Sequence, residues 1–325
     1  MTNAVDEAFA ADLTARLEVI EDRLLAAAVA NSPFVTEASR HIISAGGKRF
    51  RPLLVAVASD FGSPDFDEED LVKAALVVEL THVASLYHDD VMDDADLRRG
   101  APSANRRWDN SIAILVGDFL FARASSTVAT LGTDYVMLQA ETFARLVQGQ
   151  IAETRGPQPG DDPLAHYLGV VADKTGSLIA TSAVFGGMVA GAEQNVLDAL
   201  ANFGEEIGMV FQLSDDIIDI TGTATGKTPG TDLREGVPTL PTLMLRASDD
   251  PSDAPLKAMI ASDLSDDARL REALDALRAH PVIERARAEI ERRAELARGY
   301  LTELPDGPAK DALLQITHDL VNRSA

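Results

Sequence analysis

Apolar residues recur at helical spacing along most of the chain. Residues 4–30 carry an amphipathic stripe, Ser32, Pro33 and Phe34 interrupt it, and the pattern resumes over 35–45. The same period predicts helices from about 69 to the aspartates near 90, and over 109–130, 134–154, 163–174, 176–191 and 195–220. Clusters of Gly, Pro and Asp predict loops at 61–70, 155–163, 221–238 and 248–255. A charged helical stretch, 256–304, is broken at Ala279-His280-Pro281, and no segment alternates with the period of a strand. The pattern predicts an all-α protein of roughly a dozen helices. A single domain is expected over 1–325, with its chemistry at about 35–245 and further helices over 256–325.

Composition narrows this picture. The 325 residues are 46% hydrophobic, enough for a large core. Acidic residues outnumber basic ones by 52 to 29, a net charge of −23, which argues against nucleic-acid binding and against a polybasic membrane patch. A protein with this surface that handles an anion must gather its cations locally or recruit metal ions. Cysteine is absent, which excludes disulfides, thiolate metal sites and cysteine nucleophiles and suits a cytoplasmic chain. The acidic opening, MTNAVDEAFAADL, does not read as a signal peptide. No apolar run is expected to span a membrane; residues 71–87 come closest but carry Lys73, Glu79 and His82.

One stretch conflicts with simple helix physics. LYHDDVMDDADLRRG, residues 86–100, sets Asp89, Asp90, Asp93, Asp94 and Asp96 at the end of a long apolar helix. Carboxylates there meet the negative end of the helix dipole and one another. FQLSDDIIDITG, residues 211–222, repeats the problem with Asp215, Asp216 and Asp219. In each D-D-x-x-D, the first and last aspartates are spaced i, i+4 and share a face. Apolar neighbours around the second set make a merely solvated acidic face unfavourable. Mg2+ is the natural counter-ion, because it takes carboxylate oxygens, keeps waters and bridges to substrate phosphates. Two such sets would hold metal ions with a phosphate ligand between them.

The cations are clustered too. GGKRFRP, residues 46–52, joins two glycines to Lys48, Arg49 and Arg51. It reads either as a helix cap with basic dipole partners or as an anion site, which Gly47 would let a ligand approach closely. Arg98 and Arg99 follow the aspartates and either neutralise them or bind an anion. Lys174 and Thr175 lie between two helical segments, Thr175 in a position suited to a cap. Lys227 sits in a glycine-rich loop that does not satisfy the P-loop pattern. His82 lies two turns before Asp89 on the same side, where a satisfied core histidine is the simpler reading.

Together and in this order, GGKRFRP, HDDVMDDADLRRG, KTG and FQLSDDIID with its following GK and GTDLREG resemble the trans-isoprenyl diphosphate synthases, or polyprenyl synthetases. The resemblance implies a helical bundle around a deep central cavity, a homodimer, and about three Mg2+ ions per site. It assigns metal binding to Asp89 and Asp93 with Asp90 assisting, and to Asp215 with Asp216 and Asp219. It assigns isopentenyl diphosphate to Lys48, Arg51, His82 and Arg99, beside Gly47, and the allylic diphosphate to Arg98, Lys174 and Lys227. Thr175 and Gln212 would line the reaction centre with Lys174. The implied reaction is a 1′–4 condensation: pyrophosphate leaves, the double bond of isopentenyl diphosphate attacks the allylic cation, and a proton passes to the released pyrophosphate. Two positions depart from the pattern, Val237 where a lysine is frequent and Gln150 where an acid is common.

Product length follows from side-chain volume. Thr81, Ala84 and Ser85 precede Asp89 by one to two turns, and all are small. Short-chain relatives carry a bulky aromatic near 84 or 85. An open floor predicts a product of about twenty carbons or more, unless another helix supplies a floor. Two rival readings are a class I terpene cyclase and a non-catalytic helical subunit of a heteromeric synthase. The first has no use for a second diphosphate site such as GGKRFRP, and the second generally loses aspartates or arginines that this chain keeps.

Overall fold

The computed structural model describes residues 7–222 and 229–323, and 77% of it is helical. The expected all-α class holds. The described residues form two compact units, each assembled from separate stretches of chain. The first comprises residues 1–144, 178–201 and 303–313; the second comprises 145–177, 202–302 and 314–325.

The first unit is organised around α4, Glu68–Met92. Asp67 caps it by accepting the Glu69 N–H at 2.9 Å, and three acids fill its first turn, where the dipole favours them. From Leu71 to Ala84 almost every side chain is buried, so this helix is apolar all round, as a central core helix must be. It packs against α1 (Glu7–Ala27), α3 (Phe50–Ala58), α5 (Ala104–Arg107) and α6 (Asn110–Val128). Tyr87 donates its hydroxyl hydrogen to the Ala38 carbonyl and accepts the Ile42 N–H, which ties α2 (Pro33–Ser44) to α4. Helix α7, Thr133–Arg155, contributes to both units.

Sequence patterning divides residues 163–191 into two helices at Lys174-Thr175-Gly176. The structure instead runs continuously from α8 (Pro163–Val171) through a π turn, Ala172–Gly176, into α9 (Ser177–Val189). A glycine that resembles a breaker is absorbed in the widened turn, a local geometry that favours functional sites. Helix α10, Gln194–Thr221, carries the second acidic motif at its end.

In the second unit, Ile220 packs with Leu245 of α12 (Leu240–Arg246), Leu256 and Ile260 of α13 (Ala254–Ile260), Leu274 of α14 (Asp267–Arg278) and Val282 of α15 (Val282–Leu301). The expected break at 279–281 is present. A second gap, between α13 and α14, interrupts a stretch that reads as helical. The loop after α10 contains a short helix, α11 (Thr231–Glu235), and the chain closes with α16 (Pro308–Asn322).

Two further differences concern local patterning. A two-residue hairpin pairs β1 (Leu97–Arg98) with β2 (Ala101–Pro102), too short to show a strand period. Two helical spans, Asn110–Val128 and Pro163–Val189, are long and apolar enough to cross a membrane by length and composition, contrary to the sequence expectation. The second is 61% buried, as a core helix should be, whereas only 33% of the first is buried.

Candidate active site

The five crowded aspartates are separated by their partners. Asp89 and Asp93 lie one turn apart at the end of α4, Asp93 as its C-cap. Asp90 is fully buried, with Oδ1 receiving Arg98 Nε at 2.7 Å and Nη2 at 2.6 Å. Its other oxygen is buried without a hydrogen-bond partner. Burial raises its pKa, and Arg98 opposes the shift. Asp94 and Asp96 share Arg106, at 2.9 and 2.6 Å. Asp90 therefore anchors Arg98.

The hairpin explains the paired arginines. Arg99 and Gly100 form its tight turn, both with positive φ (54° and 79°), as a two-residue turn of this hand requires. Arg98 then reaches Asp90, while Arg99 donates to the carbonyls of Ile42 and Gly46. Gly46 and Gly47, at φ 99° and 153°, bring the GGKRFRP turn against Arg99. A Cβ at Gly47 would stand 2.9 Å from Arg99 Cζ.

Lys48 is exposed, and Arg51 lies in a desolvated setting that lowers its pKa to about 10, leaving it charged at neutral pH. His82 feels Arg51, Arg99, Arg98 and Arg49; burial first, then these charges, push its pKa well below the usual value. It is thus a neutral hydrogen-bonding group rather than a further cation. Within the first unit the charges of Arg51 on α3 and Arg99 in the hairpin turn act on His82, which sits on α4, the helix that also carries Asp89.

In the second unit every aspartate of the second motif has a protein partner. Asp215 Oδ1 receives Arg323 Nη2 at 2.5 Å, and that guanidinium lies over the Phe211 ring. Asp216 is buried, accepts the Tyr167 hydroxyl and the Leu240 N–H, and is pushed up to about 7, mainly by burial. Asp219 accepts the N–H groups of Thr231 and Asp232 at 3.3 and 3.2 Å, which fixes the start of α11. Asp216 and Asp219 thereby also hold neighbouring segments of the second unit in place. Gln212 Nε2 lies 3.5 Å from Asp216 Oδ1.

Lys174 and Thr175 sit on the π turn, and Lys174 Nζ is 2.5 Å from Glu153 Oε2. Gly149 allows this approach, since a Cβ there would meet the Lys174 backbone nitrogen at 2.8 Å. Patterning gave no signal for Glu153, Tyr167 or Arg323, because their partners lie far away in sequence. Lys227 lies outside the described residues.

Among the chain-length positions, Thr81 and Ala84 are fully buried and Ser85 nearly so. The Ala84 carbonyl faces Gly117 of α6, where a Cβ would lie 3.2 Å away. His88 contacts Phe121, and Phe121 packs on Phe143 with centroids 4.4 Å apart. Bulky rings beside this part of α4 thus come from α6 and α7, from which the sequence reading allowed for a floor.

Among the described residues, no three histidine, aspartate or glutamate side chains form a ready-made metal cage. Two carboxylates one turn apart suit an ion of the Mg2+ kind, which completes its shell with water and substrate phosphate. The donor chemistry of Asp89 and Asp93 therefore fits a divalent metal.

The polyprenyl synthetase family model matches residues 32–277. The chain belongs to the polyprenyl synthetase family. It is 44% identical over 323 residues to a nonaprenyl diphosphate synthase of Mycobacterium tuberculosis, covering 98% of this chain and 95% of that one. A dimethylallyltranstransferase of the same organism is 40% identical, over 84% of this chain and 83% of its own. The crystal structure of a Corynebacterium glutamicum geranylgeranyl pyrophosphate synthase, complexed with calcium and isoprenyl diphosphate, superposes with a TM-score of 0.88. It is 44% identical, and the match covers 98% of both chains. As a polyprenyl synthetase, the chain is a prenyltransferase that condenses isopentenyl diphosphate with an allylic diphosphate, and the family's reaction uses divalent metal. These findings do not favour the cyclase or the non-catalytic subunit.

Proposed function

We propose that this prenyltransferase uses Mg2+, about three ions per site, and makes an all-trans polyprenyl diphosphate of about twenty carbons or more. The observation that carries the site assignment is the sorting of charge in the first unit. Arg98 and Arg106 engage the neighbouring aspartates, while Asp89 and Asp93 share the last turn of α4. On the same helix, His82 lies within reach of the Arg51 and Arg99 charges.

Lys48, Arg51, Arg99 and neutral His82 bind isopentenyl diphosphate beside Gly47. Arg98, Lys174 and Lys227 bind the allylic diphosphate. Asp89 and Asp93 hold metal ions with Asp90 assisting, and Asp215 holds the remaining ion with Asp216 and Asp219 beside it in the second motif. Bound metal supplies charge neutralisation to the departing pyrophosphate. The cationic side chains share that task in a site sheltered from water. Oxygen atoms of Thr175 and Gln212 line the reaction centre, and the proton leaves with pyrophosphate.

A second copy of the chain covers the exposed apolar face of α6. Ile114 and Leu115 are 43% and 61% exposed there, and the low burial of this apolar helix supports a homodimer. The cysteine-free composition accords with a cytoplasmic enzyme.

The test combines purified protein, Mg2+, isopentenyl diphosphate and allylic primers of several lengths. Pyrophosphate release with a chromatographic ladder of products supports the reading; no release with any primer rejects it. Ser85→Phe should shorten the product, and an unchanged ladder would remove Ser85 from the chain-length assignment.

A further inference from the structure

Arg49 stands inside the glycine-cation turn, yet its charge is directed into the protein. Its backbone is left-handed, at φ 47°, a conformation costing on the order of 1 kcal/mol for a residue with a Cβ. Such a backbone persists only when its surroundings over-determine it. Here they do, because the protein accepts hydrogen bonds from every donor of the guanidinium fork. Nε and Nη2 grip the two oxygens of Glu21 at 2.6 and 2.8 Å. Nη1 reaches Glu79 Oε1 at 3.1 Å and the Gly46 carbonyl at 3.3 Å. Nη2 also binds the Ile43 carbonyl at 2.9 Å.

The turn is moulded on this guanidinium. A Cβ at Gly47 would lie 2.7 Å from Arg49 Nη1, so only glycine lets the backbone rest there. The Gly46 carbonyl accepts from both Arg49 and Arg99. Glu79 comes from the buried face of α4, whereas Glu21 comes from α1 and keeps 38% side-chain exposure. The bond from Arg49 holds the Glu21 pKa below its usual value, so the clasp is ionic at neutral pH. Glu79 also balances the charges of Arg51 and Arg99.

We propose that Glu21, on the first helix, is a positioning residue for the isopentenyl diphosphate site. With Glu79 it immobilises Arg49, and Arg49 fixes the turn that presents Lys48, Arg51 and Arg99. The inference rests on the reading that this turn binds isopentenyl diphosphate. Losing one arm of the clasp leaves the strained turn underdetermined, and displaced donors lose affinity for the ligand they were aimed at.

The test is steady-state kinetics on the full chain with Mg2+, varying each substrate separately, together with thermal melting. Glu21→Gln removes the charge from the exposed arm. It should raise KM for isopentenyl diphosphate on the order of tenfold, while KM for the allylic primer and kcat at saturation stay within about twofold. Arg49→Lys keeps the cation without the fork and should show the same selective rise. Lys48→Ala supplies the reference. If Lys48→Ala raises KM for isopentenyl diphosphate and neither Glu21→Gln nor Arg49→Lys does, the positioning role is overturned and the site reading stands. If Lys48→Ala also leaves it unmoved, both fall. A parallel rise in both KM values, or a lower melting temperature with unchanged KM, marks Glu21 as merely structural and overturns the proposal.

Discussion

The two acidic motifs share one pattern and use it differently. In the first, a single aspartate of the D-D-x-x-D turns inward, where Asp90 clamps Arg98, and Asp89 and Asp93 stay together on the last turn of α4. In the second, the protein takes hold of all three: Arg323 binds Asp215, Tyr167 and Leu240 bind Asp216, and the start of α11 binds Asp219. Helical spacing decides which face a carboxylate occupies. It does not decide whether that carboxylate serves a ligand or the fold. The second motif is tied into its unit by Arg323, Tyr167 and the start of α11, and the first is tied through Asp90 to the hairpin arginine.

Exchanging carboxylates tests this contrast most strongly at the first motif. Asp89→Asn or Asp93→Asn should lower turnover on the order of a thousandfold, measured as pyrophosphate release. The melting temperature should hold or rise, because like charges one turn apart at a helix C-terminus repel. A large loss of stability instead would show that these two groups are also structural.

The second motif should respond in stability. Asp216→Leu leaves the Tyr167 hydroxyl and the Leu240 N–H without their acceptor, a cost of roughly 2–5 kcal/mol. Denaturant unfolding should show it even without metal or substrate. Stability equal to the parent chain would place Asp216 among the ligands after all.

The two units should also answer pH with opposite sign. Burial pushes Asp216 up to about 7 in the folded protein, well above an ordinary aspartate, so its stabilising contribution is complete in the ordinary carboxylate range and below, and is lost as pH rises through 7. His82 has a folded pKa well below 6.5, so its contribution is present above 6.5 and is lost as pH falls. In metal-free protein, Asp216→Asn should reduce the loss of stability between pH 4 and 7, by a few kcal/mol at most. His82→Asn should reduce the loss on acidification below 6.5. Unfolding midpoints across this range check both, and a slope unchanged in either variant removes that group from the account.

The smallest effect is expected at Arg106. It bridges Asp94 and Asp96 at an exposed surface, where solvent screens such pairs and little stability rests on them. Arg106→Ala should therefore leave turnover close to the parent value. A large kinetic loss would extend the ligand site beyond Asp93.

Most of the fold was legible because α4, α6, α7 and α10 show apolar patterns long enough to outweigh local noise. The site was legible as a set of motifs, since glycines, cations and paired aspartates stand close together in the chain. Their division of labour was not. Asp90 is buried and Asp93 exposed although they stand three residues apart, and the Arg98 partnership needs a hairpin with only two residues per strand. Glu153, Tyr167 and Arg323 act on residues remote in sequence, so no local spacing announces them. Gly176 makes Lys174 and Thr175 read as a helix boundary; the π turn accommodates that glycine within a continuous helix.

Arg323 has one more consequence. It is a cation tethered to the end of α16 and held on Asp215, so it acts as an intramolecular competitor with its own effective concentration. If Asp215 holds a metal ion, as proposed above, that ion must compete with a ligand that never diffuses away. Its affinity would then be set partly by how firmly the last turn of α16 is wound: fraying of that turn would raise it, and stiffening would lower it.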